Sequence, residues 1–460
     1  MRRHRGTVLA LFVAAVAVTA ATTTAPAADR PHGDVKLFAP VPSPGSPEPV
    51  VVAPDGTVYT ATLNAQSGDT AAPSKVFAFT PEGKLERAYD IKGQDLSTQH
   101  GLSGLAMDAD GNLYVGSLAP PMVFKLDPKT GKQSVYALYR DVPVCSGTVT
   151  TDCSKSQQDW KPWPDYIVLA PDGTLYETDS LQALIWKVPP GGGRGQVWLT
   201  DDRLQSLIGP PAFGPSAMKL APDGKTLMFT TIEGPTGDGD PSAGRIWKLP
   251  IQPDGKPGEL SEFYTAQSAD APGGIGFAKS GKLYVALSGS NQIAEVGPDG
   301  KETGRFPDPV TNSSYQPPLD SPLDVAFRGN SLLVANSGYV SNSSSSFAIL
   351  DVFVGEPGFD PLRPKVPGAS SAEAKRLTLR VWPRHVPAGA RVRLRFRVTA
   401  DGKAVGGARV RAGRTHARSG RDGRGMLTLR VRHAGSHRVT ARKQGYRPGH
   451  ATFVAARRRG

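Results

Sequence analysis

The stretch Leu169–Ser180, LAPDGTLYETDS, decides the fold. Apolar and aromatic residues flank a Pro-Asp-Gly turn, which is the chemistry of a β-hairpin. The phrase returns as VAPDGTVYTATL from Val52, MDADGNLYVGSL from Met107 and LAPDGKTLMFTT from Leu220. Weaker copies are FAKSGKLYVALS from Phe277 and FRGNSLLVANSG from Phe327. Counted at Asp55, Asp110, Asp172, Asp223, Ser280 and Gly329, the spacings are 55, 62, 51, 57 and 49 residues. A second hairpin follows in several copies, as in KVFAFTPEGKLERAY from Lys75 and QIAEVGPDGKETGRF from Gln292. Two hairpins per period give four strands, and a period near 50 residues is the sign of a propeller or a stacked repeat. Six copies predict an all-β, six-bladed β-propeller over residues 34–358. Its ring closes where VKLFAPV, Val35–Val41, meets FAILDVFVGEPG, Phe347–Gly358.

The rest of the chain divides by composition. Residues 1–27 carry Arg2, Arg3 and Arg5, then an apolar run from Val8 to about Ala20, then Ala-Pro-Ala. This is the pattern of a secretory signal peptide, so the mature chain is expected to be secreted and extracellular. No later apolar run is long enough to span a bilayer. The two cysteines, Cys145 and Cys153, are expected to pair as a disulfide in an oxidising compartment. Residues 359–374, rich in Pro, Ser and Ala, read as a linker. From 375 to 460, apolar residues alternate with arginine, which predicts the half-buried strands of a small antiparallel β-sandwich. Its length suits an immunoglobulin-like or carboxypeptidase-regulatory-like module. Residues 372–460 hold 24 Lys/Arg and 3 Asp/Glu, a net charge of +21, against −11 for residues 28–371. An acidic propeller with a basic tail excludes nothing about fold but bears on partners. The tail suits an anionic polymer of the cell envelope, with no specific nucleic acid expected, and the chain is expected to be monomeric.

The same repeat locates a candidate site. Seven residues before the turn position stand Glu48, Ser103, Asp165, Ser216 and Gly273, and six before the last stands Leu323. Equivalent register puts them around one mouth of the central channel, with His100 at its rim. Two carboxylates and two hydroxyls there suit a hard cation bound through oxygen. Ser216 lacks the GxSxG setting of a nucleophile, and GGGRG near Gly191 lacks the strand–loop–helix setting of a phosphate loop.

The APDGxxY phrases, their six copies and EPVVVAPDGTVY from Glu48 resemble the SMP-30/gluconolactonase/LRE-like, or regucalcin-like, family. That resemblance covers most of residues 34–358. It implies hydrolysis of sugar lactones with one divalent metal, calcium or zinc, held by a Glu, an Asn and an Asp that also serves as base. Glu48 stands at the Glu position. Asp165 stands where the family has a substrate-side Asn, Ser216 where the Asn ligand belongs, and Gly273 where the catalytic Asp belongs. Two of three metal ligands are therefore missing. Glu48 and Asp165 remain as candidate metal residues for a weakly held Ca²⁺ or Zn²⁺. Asp165, His100 and Asp324 remain as candidate catalytic residues. Two functions follow from this pattern: binding of a small ligand at the channel mouth without efficient catalysis, or metal-dependent hydrolysis of lactones or related esters.

Overall fold

A computed structural model describes residues 30–63, 71–156, 158–206, 213–234, 240–367, 376–443, 446 and 448–456. The signal segment, residues 1–27, and the end of the linker, residues 368–374, lie outside the described residues. No helix of the described residues is long and apolar enough to cross a membrane.

Six sheets of four or five strands make the propeller. Their innermost strands are Ser46–Val52, Leu105–Met107, Pro164–Leu169, Pro215–Leu220, Pro272–Phe277 and Pro322–Arg328, which define blades one to six. In each blade the next strand returns antiparallel through the Pro-Asp-Gly-type turn, and two more strands follow outward. The turn sequence has a local cause. The carboxylates of Asp55, Asp172 and Asp223 accept from main-chain N–H groups two residues on, at 3.0, 2.9 and 2.8 Å. The glycine that follows adopts positive φ, +83° at Gly173, where a side chain would be strained. In blade two Asp108 takes over this role, accepting from the N–H groups of Asp110 and Asn112.

Blade six is built from both ends of the propeller sequence. Its outermost strand is Val35–Pro40, paired antiparallel with Ala348–Phe353, so that Val35 lies opposite Val352 and Pro40 opposite Ala348. Arg30 secures the join with ion pairs to Asp34 (2.7 Å) and Asp351 (2.6 Å). The core is a set of interblade layers. Each sheet twists, so its faces are covered only by its two neighbours. Tyr114, Tyr176, Trp186 and Tyr284 are among the largest fully buried side chains, and all lie on inner or middle strands.

The residues after blade six do not leave the disc at once. Phe359 N–H donates to the Phe277 carbonyl at 2.9 Å, and Arg363 Nη2 to the Val52 carbonyl at 2.6 Å. Ala109 N–H donates to the Pro364 carbonyl, and Val366 is buried against blades two and three. The first half of the predicted linker is thus a strap across the face that carries the turns. Beneath it, a cavity of about 330 Å³ is lined by the last residues of all six inner strands.

The tail is a β-sandwich. One sheet holds Thr378–Trp382, Arg391–Ala400, Lys403–Ala404 and Arg424–Arg430. The other holds His385–Pro387, Gly449–Ala456, Gly435–Arg442, Arg409–Ala412 and Thr415–Arg418. Alternation places Val392, Leu394, Phe396 and Val398 inside and Arg391, Arg393, Arg395 and Arg397 outside.

Cys145 and Cys153 form a disulfide with Cα atoms 5.0 Å apart. Thiol titration of the unreduced, unfolded chain is expected to find no free thiol. Replacing both cysteines by serine should lower stability by about 2–3 kcal/mol, since only a short loop is closed. Two titratable thiols would contradict the pairing.

Candidate functional site

The inner strands begin at the face opposite the strap. Five of them carry proline at or beside their start: Pro47, Pro164, Pro215, Pro272 and Pro322. Proline cannot donate to a ladder and suits a strand's beginning. Just after it each of these strands slips register against its neighbour, for example between Pro47 and Val50 and between Pro164 and Ile167. Such bulges re-aim side chains, and here the same device recurs blade by blade.

Asp165 lies at the centre of the resulting cluster and is 4% exposed. Its Oδ2 accepts from the hydroxyls of Ser216 and Ser180, both at 2.9 Å, whereas its Oδ1 is buried without a partner. Glu48, 9% exposed, also has a buried oxygen, Oε2, without a partner. Asp324 on blade six is ion-paired with Lys219 of blade four at 3.1 Å and accepts from Val50 N–H of blade one at 3.0 Å. Tyr166 extends from blade three to donate its hydroxyl to the Leu323 carbonyl of blade six at 3.1 Å. Blades three and six face each other across a six-bladed ring, so this bond crosses the channel axis.

Burial governs the protonation of these groups. It pushes Asp165 up to about 7, against the hydrogen bonds from Ser216 and Ser180, with the charges of Asp179 and Asp324 adding to the rise. Burial also lifts Glu48 well above the ordinary range, helped by the charges of Asp165 and Asp324. Asp324 is raised by burial despite Lys219. Two more buried acids lie behind, on blade three. Asp179 is pushed to about 6 by burial although it accepts from Trp163 N–H, Gln182 N–H and Trp186 Nε1. Glu177 is raised by burial while it accepts from the Tyr139 hydroxyl. The Tyr339 phenol is raised by burial and then by the charges of Glu48 and Asp165, so the loop after the second strand of blade six lies close to both acids.

The remaining sequence candidates have structural surroundings. Ser103 donates to the Pro164 carbonyl at 2.7 Å. His100 is fully buried, with Nδ1 3.0 Å from the Thr98 carbonyl and Nε2 2.9 Å from the Ala72 carbonyl, which clamps one loop to another. A Cβ at Gly273 would stand 2.6 Å from the Leu323 carbonyl oxygen, and one at Gly274 would stand 2.1 Å from Asp324 Oδ1. These glycines let blades five and six meet. Tyr166, Ser180, Lys219 and Tyr339 were not among the sequence candidates. Lys219 was detectable: it stands where the other blades place Val51, Ala106, Val168, Gly276 and Ala326.

The unpartnered oxygens of Glu48 and Asp165 suit a positive or hydrogen-donating group. A closed metal centre is another matter. Asp324 is engaged by Lys219, and no group of three His, Cys, Asp or Glu among the described residues is spaced to hold a metal ion. These residues do not fit a tightly held catalytic metal.

The fold is that of a six-bladed propeller. It is similar to a luciferin-regenerating enzyme, at 12% identity and TM-score 0.48 over 72% of this chain and 99% of that one. It is similar to regucalcin, a calcium-binding protein from Agrobacterium tumefaciens, at 16% identity and TM-score 0.47 over 71% and 95%. It is also similar to virginiamycin B lyase from Staphylococcus aureus, at 16% identity and TM-score 0.43 over 70% and 99%. At these identities the likeness concerns the fold alone. No protein-family model matches the chain, and no curated protein matches it.

The raised acids make stability fall as pH rises. Asp165 has a folded value of about 7 against roughly 4 in an unfolded chain. The folded state therefore holds the extra proton between these values, and its stabilising effect is complete below pH 4 and lost as pH climbs through 7. Asp165→Asn keeps an oxygen for both serine hydroxyls and removes the titration. The fall in unfolding free energy from pH 4.5 to pH 8 is expected to shrink by roughly 3 kcal/mol in this variant. An unchanged pH profile would show that Asp165 is not a buried titrating group.

Proposed function

We propose that this protein is a secreted, monomeric binding propeller, related to the SMP-30/gluconolactonase/LRE-like group but with a degraded metal site. Its ligand is a small molecule rich in hydrogen-bond donors, an amino sugar or polyol, taken at the acidic channel mouth without efficient catalysis. The observation that carries this reading is the pair of buried, unpartnered oxygens on Glu48 and Asp165. An unsatisfied buried acceptor costs about 1–3 kcal/mol, which a ligand's N–H or O–H group would recover. A neutral Glu48 carboxyl can both donate and accept, which suits hydroxyl-bearing ligands. The repeated PDG phrases and Glu48 at the family's Glu position support the relationship. Ser216 and Gly273, at the other ligand positions, support loss of the chemistry. A divalent ion, Ca²⁺ or Zn²⁺, would be held weakly and mostly by water.

The alternative is a lactone or ester hydrolase, in which Asp165, with its value near 7, would act as base. A panel of amino sugars, polyols and sugar lactones separates the two, read by thermal shift and by lactone hydrolysis with and without Ca²⁺ or Zn²⁺. The binding account expects a shift of several degrees with a donor-rich ligand, lost in Glu48→Gln, and hydrolysis at the buffer rate. Metal-dependent turnover lost in Asp165→Asn would establish the hydrolase instead. A thermal shift that survives Glu48→Gln would place the ligand elsewhere.

A further inference from the structure

The outer face of the sandwich's five-stranded sheet carries a dense cluster of arginines. Arg409 and Arg411 project from one strand and Arg438 and Arg442 from the next, all four exposed. Together with Thr440 and Gly413 they line a concavity of about 400 Å³, formed because small residues stand among long ones. None of the four arginines makes an ion pair among the described residues, although Arg411 Nε is oriented by the Gly413 carbonyl at 2.7 Å. Asp401 and Asp422 are the described acids of the whole sandwich.

The arrangement is unfavourable on its own. Arg409 lies directly opposite Arg442 on one side and Arg418 on the other. Like charges facing each other across a sheet destabilise it. Arg409 and Arg411 are i and i+2, about 6.6 Å apart along their strand, Arg442 and Thr440 lie opposite them, and Arg438 stands one pair further along, so the arginines line one stretch of two adjacent strands. The neighbouring His450 feels it: desolvation and the charges of Arg438, Arg376 and Arg442 hold its imidazole below the ordinary value.

We infer that this concavity binds the phosphate groups of a phosphodiester polymer, of the polyol-phosphate kind found in cell envelopes. Several guanidiniums around one concavity suit a phosphate, whose oxygens accept from more than one fork at once, better than a carboxylate with two oxygens. The net charge of −11 on residues 28–371 opposes a long, stiff nucleic acid lying across the protein and tolerates a flexible chain that engages the tail alone. The signal-like start of the sequence agrees with an envelope polymer. The site is independent of the channel mouth.

The test uses the full-length protein with poly(glycerol phosphate) as probe at 150 mM salt. Two double variants remove equal charge: Arg409→Gln with Arg442→Gln in the concavity, and Arg393→Gln with Arg395→Gln on the outer face of the other sheet. The first is expected to weaken binding at least tenfold and the second less than twofold. Because Arg409 and Arg442 oppose each other, the first variant should melt no lower than the parent, which separates lost binding from lost folding. A single-stranded oligonucleotide and polyglutamate of matched charge should bind at least tenfold more weakly. Equal losses in both variants would reduce the site to diffuse ion exchange and overturn the inference. So would an absence of binding at this salt, or an oligonucleotide that binds as tightly as the polyol phosphate.

Discussion

Closure of the ring is the constraint on which the rest depends. A twisted four-stranded blade cannot bury both faces alone, so each blade is stable only between two others. The strand Val35–Pro40 closes the circle as the outer strand of the last blade, joined to Ala348–Phe353. Val35 packs in the layer between blades five and six, and Ala39 in the layer between blades six and one. Once the ring closes, equivalent residues of six blades must occupy equivalent places. The starts of the inner strands then meet at one mouth, and the Pro-Asp-Gly turns gather on the other face, under the strap.

Between these two ends the channel is not continuous. Tyr166 crosses the axis, and the Lys219–Asp324 pair lies beside it. One compartment is acidic, with Glu48 and Asp165 lacking partners for one oxygen each. The other is the largely aliphatic cavity under Phe359–Arg363. The acids are poor candidates for fixed negative charges. Crowding and desolvation favour the protonated form, and only Asp324 has a cation beside it. Burial and crowding leave them hydrogen-bonding groups more than fixed charges.

The fold was legible because its turn chemistry is local and repeated. In blades one, three and four Asp and Gly are fixed at the turn by an Asx hydrogen bond and a positive φ, and counting back seven residues reached the inner-strand register. Five copies keep that count, and Leu323 is displaced by a single deletion. What was hidden arises from contacts between distant segments. Period-2 alternation could not show the shared bulge after each proline. His100 looked like a rim ligand, yet main-chain carbonyls from two loops enclose it. Gly273 stood at a ligand position, but its lack of a Cβ serves the approach of Leu323. Tyr166 looked like an ordinary strand aromatic, and nothing local marks it as a bar across the channel. The linker composition of residues 359–374 gave no hint that Val366 would be buried in the interblade core.

The central claim is that Glu48 and Asp165 are buried, mutually repelling carboxyls that retain protons near neutral pH. Carbon-13 carboxyl chemical shifts, followed against pH in protein labelled at Asp and Glu and assigned with Asp165→Asn and Glu48→Gln, test it directly. The account predicts that Asp165 titrates near 7 and that Glu48 titrates well above the ordinary glutamate range. Titration of both at about 4, as for solvent-exposed carboxylates, would contradict it.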